Sequence, residues 1–486
     1  MRIHLRLPLA ACSFALALAA GAILLAQSGR GPAPPAPVPA EAIPGPTTPW
    51  TLAAAGDAII TRRVMPFDTD TDPRFRRLVE IIRGADTSFL NLEINLFRMG
   101  EFKGWPEVEN GGNWELGPPE AALDLKAMGF DVVNRANNHA TDYGVEGLRV
   151  TTRLLDEIGL AHAGSGNNLG QASRPAYVES KAGRVAVIGL ATTFTNMSRA
   201  GEARDDVMGR PGINALRVQR RFEADEATFA ALAEASEKFG ATRPNPNAPV
   251  RLLGAAVQKG AKTQVVEALN ASDEARVLRE VTNATNLADH VVVTSHSHEP
   301  GNDSLIPPPW LAVFARKCID TGATAFVIHG PHQIRGIEIY KGRPIFYSLG
   351  NFIFQNETID PMPSDHYEMF NLPNTALASD LYNARFEGGS TGFPSSPVWY
   401  ESLVALPTFK GGQLIDLKLY PIDMQQKAPR SQRGTPRLAD EATGRRILQR
   451  ITELSAAFGT ALRIENGVGV WRPSAPTTSG SPIGRR

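Results

Sequence analysis

Cysteine is nearly missing from this chain: Cys12 and Cys318 are the only two in 486 residues. Neither a disulfide framework nor a Cys-rich zinc module can be built from them. A surplus of one charge is missing too, since 50 Lys and Arg stand against 50 Asp and Glu. A protein held on nucleic acid through its phosphates would carry a basic excess, so no nucleic-acid partner is expected. Beyond the N-terminal segment no run approaches the roughly 18 uninterrupted apolar residues of a membrane helix, so one segment at most enters a bilayer. A G-x-x-x-x-G-K-[ST] phosphate loop is also lacking, and the chain cannot power a polymerisation through such a site. What remains is a globular composition, 42% hydrophobic and 21% charged. A chain of this length buries a sizeable core without disulfides or a structural metal.

The N-terminus carries an address. Arg2 and Arg6 precede an apolar run from Leu7 to Ala26, and Ala26-Gln27-Ser28 offers small residues at the positions a signal peptidase reads. Residues 1–28 are therefore expected to be a signal peptide cleaved after Ser28 or, uncleaved, a membrane anchor. The destination is periplasmic or extracytoplasmic. Residues 29–49 read as a linker, with eight prolines between Gly31 and Pro49, a composition that extends rather than packs. Residues 473–486, rich in Ser, Thr, Pro and Gly, read as a disordered tail.

Between these ends strands alternate with helices. The short apolar run Leu52 to Ala55 stops at Gly56-Asp57. Arg74 to Ile82 places Phe75, Leu78, Val79 and Ile82 on one helical face. Ser88 to Leu92 and Phe130 to Asn134 read as strands. Pro119 to Met128 and Val145 to Ile158 read as helices closed by Gly129 and Gly159. A hairpin is expected around Ala182-Gly183 and another through Lys341-Gly342. A long helical stretch is expected over about 221–287. His290 to Thr294 and Ala323 to Ile328 are further strands, with the helix Trp310 to Asp320 between them. Cys318 falls on that helix's apolar face and is expected in the core. The pattern is α/β with mixed sheets.

Polar residues with metal-binding chemistry gather at the strand ends. His139, His296, His298, His329 and His332 each follow a predicted strand, and Asp57, Asn91 and Glu93 lie at or just past the ends of two others. In open α/β sheets ligands bind outside the carboxyl ends of the strands, so these residues should converge. Neutral imidazoles, carboxylates and carboxamides suit a divalent transition ion of the Mn, Fe or Zn class, one or two of them. Asp142 has a bland alternative as a helix N-cap for the stretch from Val145. His162, His290 and His366 lack such company and are expected to be structural or at the surface.

The ordered set Gly56-Asp57, Asn91-Leu92-Glu93, Ala136-Asn137-Asn138-His139-Ala140-Thr141-Asp142-Tyr143-Gly144, Gly164-Ser165-Gly166, His296 with Glu299, Pro331-His332 and Tyr347-Ser348-Leu349-Gly350-Asn351-Phe352 resembles the CapA family. That is the poly-γ-glutamate capsule synthesis family of the calcineurin-like metallophosphoesterase superfamily. The resemblance covers about residues 50–425 and implies a four-layered αββα sandwich; helical insertions near 200–285 and 355–400 interrupt it, and residues 426–472 beyond it are expected to form a C-terminal helical extension. It implies metal ligands at Asp57, Glu93, Asn138, His296 and His332, with Asn91 and Asn351 supporting them. His139 would be the proton-handling imidazole, oriented by Asp142. The superfamily's Asp-x-His opening is absent, as Ala58 and Ile59 follow Asp57. Family members commonly have His-Pro-His where this chain has Gly330-Pro331-His332, so either His329 or His298 is left to complete a second metal position. The implied function is metal-dependent hydrolysis or transfer in the cell envelope, with a polymer or peptide substrate and membrane-bound synthesis partners as candidate company. A non-enzymatic polymer-assembly component and a metal-dependent peptide epimerase are the alternatives.

Overall fold

Which side chains are buried along each strand sets the layering. In the computed structural model, which describes residues 47–65, 71–107 and 112–473, the strand Trp50–Ile59 is buried along almost its whole length. A strand buried on both faces must be covered on both. On one face Trp50, Leu52 and Ala54 meet Val185, Val187, Val292 and Val327 of a second sheet. On the other, Ala55, Ile59, Leu90 and Val133 pack with side chains of the helices Pro73–Arg83, Glu120–Met128 and Gly144–Ile158. The far face of the second sheet, through Ile188, Val291, Val293 and Phe326, is covered by the helices Ala271–Thr285 and Pro309–Thr321, with Cys318 buried in that layer. The result is the expected four-layered αββα sandwich. Each large apolar side chain taken from water in these layers contributes about 1.5–3 kcal/mol.

Both sheets are mixed. In the first, of ten strands, Trp50–Ile59, Thr87–Leu92, Val132–Asn134 and Ala161–Ala163 run parallel, while Glu401–Lys410 and Gln413–Asp423 continue it antiparallel. In the second, of six strands, Gly183–Ala191, His290–His296, Ala325–His329 and Arg343–Phe346 are parallel, and an antiparallel hairpin partner closes each edge. The helices obey their end signals. Asp72 caps Pro73–Arg83 by accepting from the Arg74 N–H at 2.8 Å, and Gly129, with φ 104°, stops Glu120–Met128.

The strand expected to stop at Gly56-Asp57 runs on to Ile59. It changes partner at that point: Ala54 pairs with Ala405 of an antiparallel neighbour, whereas Asp57 pairs with Asn351 of the parallel strand Asn351–Phe354. Gly56 makes the crossing feasible, because a Cβ there would lie 1.6 Å from the Gly350 carbonyl oxygen. Gly56→Ala is therefore expected to cost more than about 3 kcal/mol. The check is the urea unfolding midpoint of the variant, and an unchanged midpoint would show that the backbone yields here.

Two further expectations are corrected. The stretch 221–287 is not one helical insertion. It holds a four-stranded sheet of Val218–Ala224, Val250–Leu252, Ala255–Lys259 and Gln264–Leu269, with the helix Glu226–Lys238 between its first two strands in the chain and Ala271–Thr285 following its last. The charged residues that suggest a helix, such as Arg220 and Arg221, stand on exposed strand positions. The C-terminal extension is likewise only partly helical. After Glu441–Ala456, the strands Arg463–Glu465 and Val468–Trp471 add an edge to the first sheet. The other insertion packs Ile359, Leu381, Tyr382 and Phe386 onto Phe97, Trp114 and Tyr143. The segment 1–28, most of the linker and all of the expected tail after residue 473 lie outside the described residues. Among the described residues no helix is long and apolar enough to cross a membrane.

Candidate metal centre

Sheet register brings the predicted residues to one rim. In the first sheet Asp57 pairs with Asn91, and Asn91 with Asn134. In the second, His296 pairs with His329 as the last residues of adjacent parallel strands. The sandwich sets these two rows against each other. Two groups of three ligand-bearing side chains result, Asp57 with His296 and His329, and Glu93 with His298 and His332. Both histidines left open by the sequence therefore take part, one in each group.

The first group is fully buried. Asp57 Oδ1 lies 3.7 Å from His296 Nδ1 and 3.6 Å from His329 Nδ1. Asp57 is aimed by two donors: Asn91 Nδ2 at 2.8 Å on one oxygen and the Gly330 N–H at 2.9 Å on the other. Asn91 is held in turn by Asn134 Nδ2, which donates to its Oδ1 at 2.9 Å. His329 Nε2 meets the Thr294 hydroxyl at 2.7 Å, so its Nδ1 is the nitrogen turned toward Asp57.

The second group faces outward, with the His298 side chain 18% exposed. Glu93 Oε1 lies 3.4 Å from His296 Nε2 and 3.9 Å from His298 Nε2. His296 thus stands between the groups, one ring nitrogen toward each. His298 Nδ1 donates to Asn302 Oδ1 at 2.7 Å, which leaves Nε2 as its ligand atom. His332 is set the same way. Asn351 gives its amide N–H groups to the carbonyls of His332 and Trp399, so its Oδ1 accepts from His332 Nδ1 at 2.8 Å. His332 also holds φ at 58°. A non-glycine residue in the left-handed region costs about 1–3 kcal/mol and is retained where the surroundings demand it.

The electrostatics ask for a cation. Burial pushes the Asp57 carboxyl up to about 7, and burial together with the Asp57 charge raises Glu93 well above its ordinary value. Burial lowers His296 and His329 far below the usual imidazole range, His298 to about 4 and His332 to about 3. The imidazoles are thereby kept neutral, the form that binds metal. Among the described residues no donor reaches either oxygen of the buried Glu93, and the carboxyl beside it is that of Asp57. An unpartnered buried carboxylate is costly unless a cation compensates it. Imidazole nitrogens only 3.0 Å apart (His296 and His329) and 2.9 Å apart (His296 and His298) point the same way. This donor set fits divalent transition ions.

Beside the groups, the turn Asn138–Thr141 carries His139. Asp142 is not the cap of the following helix, whose cap position is Tyr143 with no side-chain bond. Its Oδ2 instead meets His139 Nδ1 at 2.8 Å and accepts from the Glu115 N–H at 2.7 Å. His139 is near enough for its charge to depress His296, His298 and His332. Asn138 is buried in the same turn, one residue earlier.

Asn91 and Asn351 stand in the supporting places expected of them, but sequence reasoning missed other supports. Thr294 precedes His296 by two places and would face with it on a strand, a legible signal. Asn302 is reached through a loop and left none. Glu299 gathers the hydroxyls of Thr192, Thr193 and Ser297 at 2.8–3.0 Å. The buried Arg335 clamps the carbonyls of Glu299, Gly301 and Ser304, each at 2.9 Å. This loop holds Asn302 and hence the His298 ring. Asn302→Ala is expected to weaken one of two bound ions by about 10–100-fold and leave the other. Competition with a chromogenic chelator checks it, and two unchanged affinities would remove Asn302 from this role. A cavity of about 680 Å³ lies alongside, lined by Asn302, Gln333, Phe393, Trp399 and Arg450 among others. Phe393 packs edge-on to the His332 ring at 5.4 Å.

Comparison with known proteins shows the family. A family model described as "Bacterial capsule synthesis protein PGA_cap" matches residues 51–356. An uncharacterized protein of Sinorhizobium fredii is 39% identical over 87% of this chain and 93% of its own length. The capsule biosynthesis protein CapA of Bacillus anthracis is 25% identical over 63% of this chain and 59% of its own. The PGA biosynthesis protein CapA of Bacillus subtilis is 30% identical over 48% and 45%.

Proposed function

This chain belongs to the bacterial capsule synthesis protein family, and from that premise we propose that it is a metal-dependent hydrolase or transferase of the cell envelope, acting on a capsule polymer or a peptide piece of one. The observation that carries the reading is the pairing of two carboxylate–imidazole groups around His296, with the bare Glu93 carboxylate in one of them. Asp57, His296 and His329 would hold one ion, and Glu93, His298 and His332 the other. Bound there, such ions supply Lewis-acid charge beside the scissile phosphoester or amide-type bond.

The residues of the chain do the rest. The partly exposed His298 marks the side on which substrate arrives. Phe393 and Trp399 offer apolar contact in the neighbouring cavity, and Arg450 offers positive charge to an anionic group. His139, its Nδ1–H committed to Asp142, exchanges a proton with the substrate at Nε2. The capsule and PGA names of the relatives support an envelope polymer as substrate, and the N-terminal export pattern supports an extracytoplasmic address.

The test is metal content of the purified full chain, together with turnover of a chromogenic phosphodiester with added manganese. Stoichiometric metal with turnover is the expected result. Stoichiometric metal with no turnover on phosphoesters or amides would make the protein a binding component of polymer assembly. Absence of tightly held metal would sink the reading.

A further inference from the structure

The insertion near 355–400 is held to the segment 113–117 in two ways. Ile359, Leu381, Tyr382 and Phe386 pack on Trp114, Leu116 and Tyr143. Apolar packing of this kind has no direction of its own. Polar side chains from both partners meet beside it, and hydrogen bonds do have direction. Asn356 Oδ1 accepts from Arg385 Nη1 at 3.2 Å and from Asn113 Nδ2 at 2.9 Å. Asn113 Nδ2 also donates to Glu115 Oε1 at 2.7 Å, so both of its amide hydrogens are used. Arg385 is the last residue of the helix Ala378–Arg385. Asn113, Glu115 and Asn356 are all buried.

An acid at position 115 has no packing reason, since Trp114 and Leu116 on either side are core residues. Burial pushes the Glu115 carboxyl up to about 7, against the charges of His139 and Arg385. The same carboxyl thus feels both the cation of the insertion and the imidazole of the turn. Its main chain completes the connection. The Glu115 N–H donates at 2.7 Å to Asp142 Oδ2, the oxygen that also meets His139 Nδ1. The Glu115 carbonyl accepts from the Asn95 N–H at 3.0 Å, and Asn95 Nδ2 donates to the His139 carbonyl at 2.7 Å. Where residue 115 sits therefore decides where Asp142 Oδ2 rests, and that oxygen sets the ring. Arg385 lies beyond the stretch 51–356 that the family model matches, so the far end of this chain of bonds comes from the insertion.

We infer that Arg385, acting through Asn356, Asn113 and Glu115, is a positioning residue for the His139 ring, so that the insertion aims this imidazole from outside the metal centre. The inference rests on the role given to His139 above, and it adds the part of the chain that holds the ring in place.

NMR of the histidine ring nitrogens in the isotope-labelled full chain tests it, because their shifts report which nitrogen carries the proton. The His139 signals are those lost in His139→Ala. The parent is expected to show His139 with its proton on Nδ1 alone. Arg385→Met, which removes the donor and keeps an unbranched stem, is expected to mix the two tautomers, and Asn356→Ala to do the same. Arg385→Lys keeps a cationic donor and is expected to retain the parent spectrum. In turnover, Arg385→Met is expected to lower kcat about 10–100-fold, the scale of a small misplacement of a reacting group. KM and metal content are expected to change little, and Arg385→Lys to recover most of the loss. His139 signals unmoved in the folded Arg385→Met and Asn356→Ala proteins would overturn the inference. So would an Arg385→Lys spectrum shifted as far as that of Arg385→Met. The spectra need no turnover, so a protein that shows these shifts without activity would lose the proposed reaction and keep the positioning of the ring.

Discussion

Glu93→Gln is expected to leave the chain folded while lowering its affinity for one of two divalent ions by more than about 100-fold, beyond the usual loss from a supporting residue. Glu93 is fully buried, no donor among the described residues reaches either carboxylate oxygen, and its neighbours are the nitrogens of His296 and His298. The native fold thus buries a carboxyl group for which it provides no donor, so burial and the neighbouring Asp57 drive it toward its neutral form until a cation arrives. Replacing it with a neutral amide of the same shape removes the cost of ionising it there. Without metal, the variant is expected to melt at or above the temperature of the parent. With metal, the order reverses, because the parent gains the binding free energy of an ion the variant no longer holds. Elemental analysis after dialysis and paired melting curves with and without a chelator read both halves. A variant that keeps the parent's metal stoichiometry would take Glu93 out of the centre.

His139→Ala is expected to reduce turnover by about 10²–10⁴-fold, the range of a lost general acid or base, while both ions stay bound. Its imidazole belongs to neither ligand group, so metal content separates loss of proton transfer from loss of the site. Asp142→Asn is the companion. Asp142 Oδ2 takes the ring N–H of His139 and the main-chain N–H of Glu115 together. An asparagine there can present an amide nitrogen toward that pair, and the His139 ring loses its enforced tautomer. The expected signature is a fall in kcat with KM little changed. Equal turnover by parent and His139→Ala would end the assignment.

Much of this centre was legible before any coordinates. His296 and His298, two places apart on an extended segment, fall on one face by the alternation of a strand, and their Nε2 atoms lie 2.9 Å apart. His329 follows the buried run Phe326-Val327-Ile328 and ends its strand at the rim. What could not be read was how the imidazoles divide. His298 and His329 competed for one place in the sequence pattern, and the fold gives each its own carboxylate. The small sheet within 218–269 escaped for a related reason. Its strands are short, charged and half exposed, so neither alternation nor an apolar run announced them.

Local chemistry determined the helices Pro73–Arg83, Glu120–Met128, Gly144–Ile158 and Pro309–Thr321, the two hairpins and the kind of atom waiting at each strand end, because these depend on neighbours within a few residues. The tertiary structure alone decided that Gly56 lets one strand pass from Ala405 to Asn351 and that His296 stands between two carboxylates. Those outcomes rest on contacts between residues tens to hundreds of positions apart. Burial is what gives them weight, since a charge or a Cβ that is harmless in water becomes decisive only when packing removes every alternative.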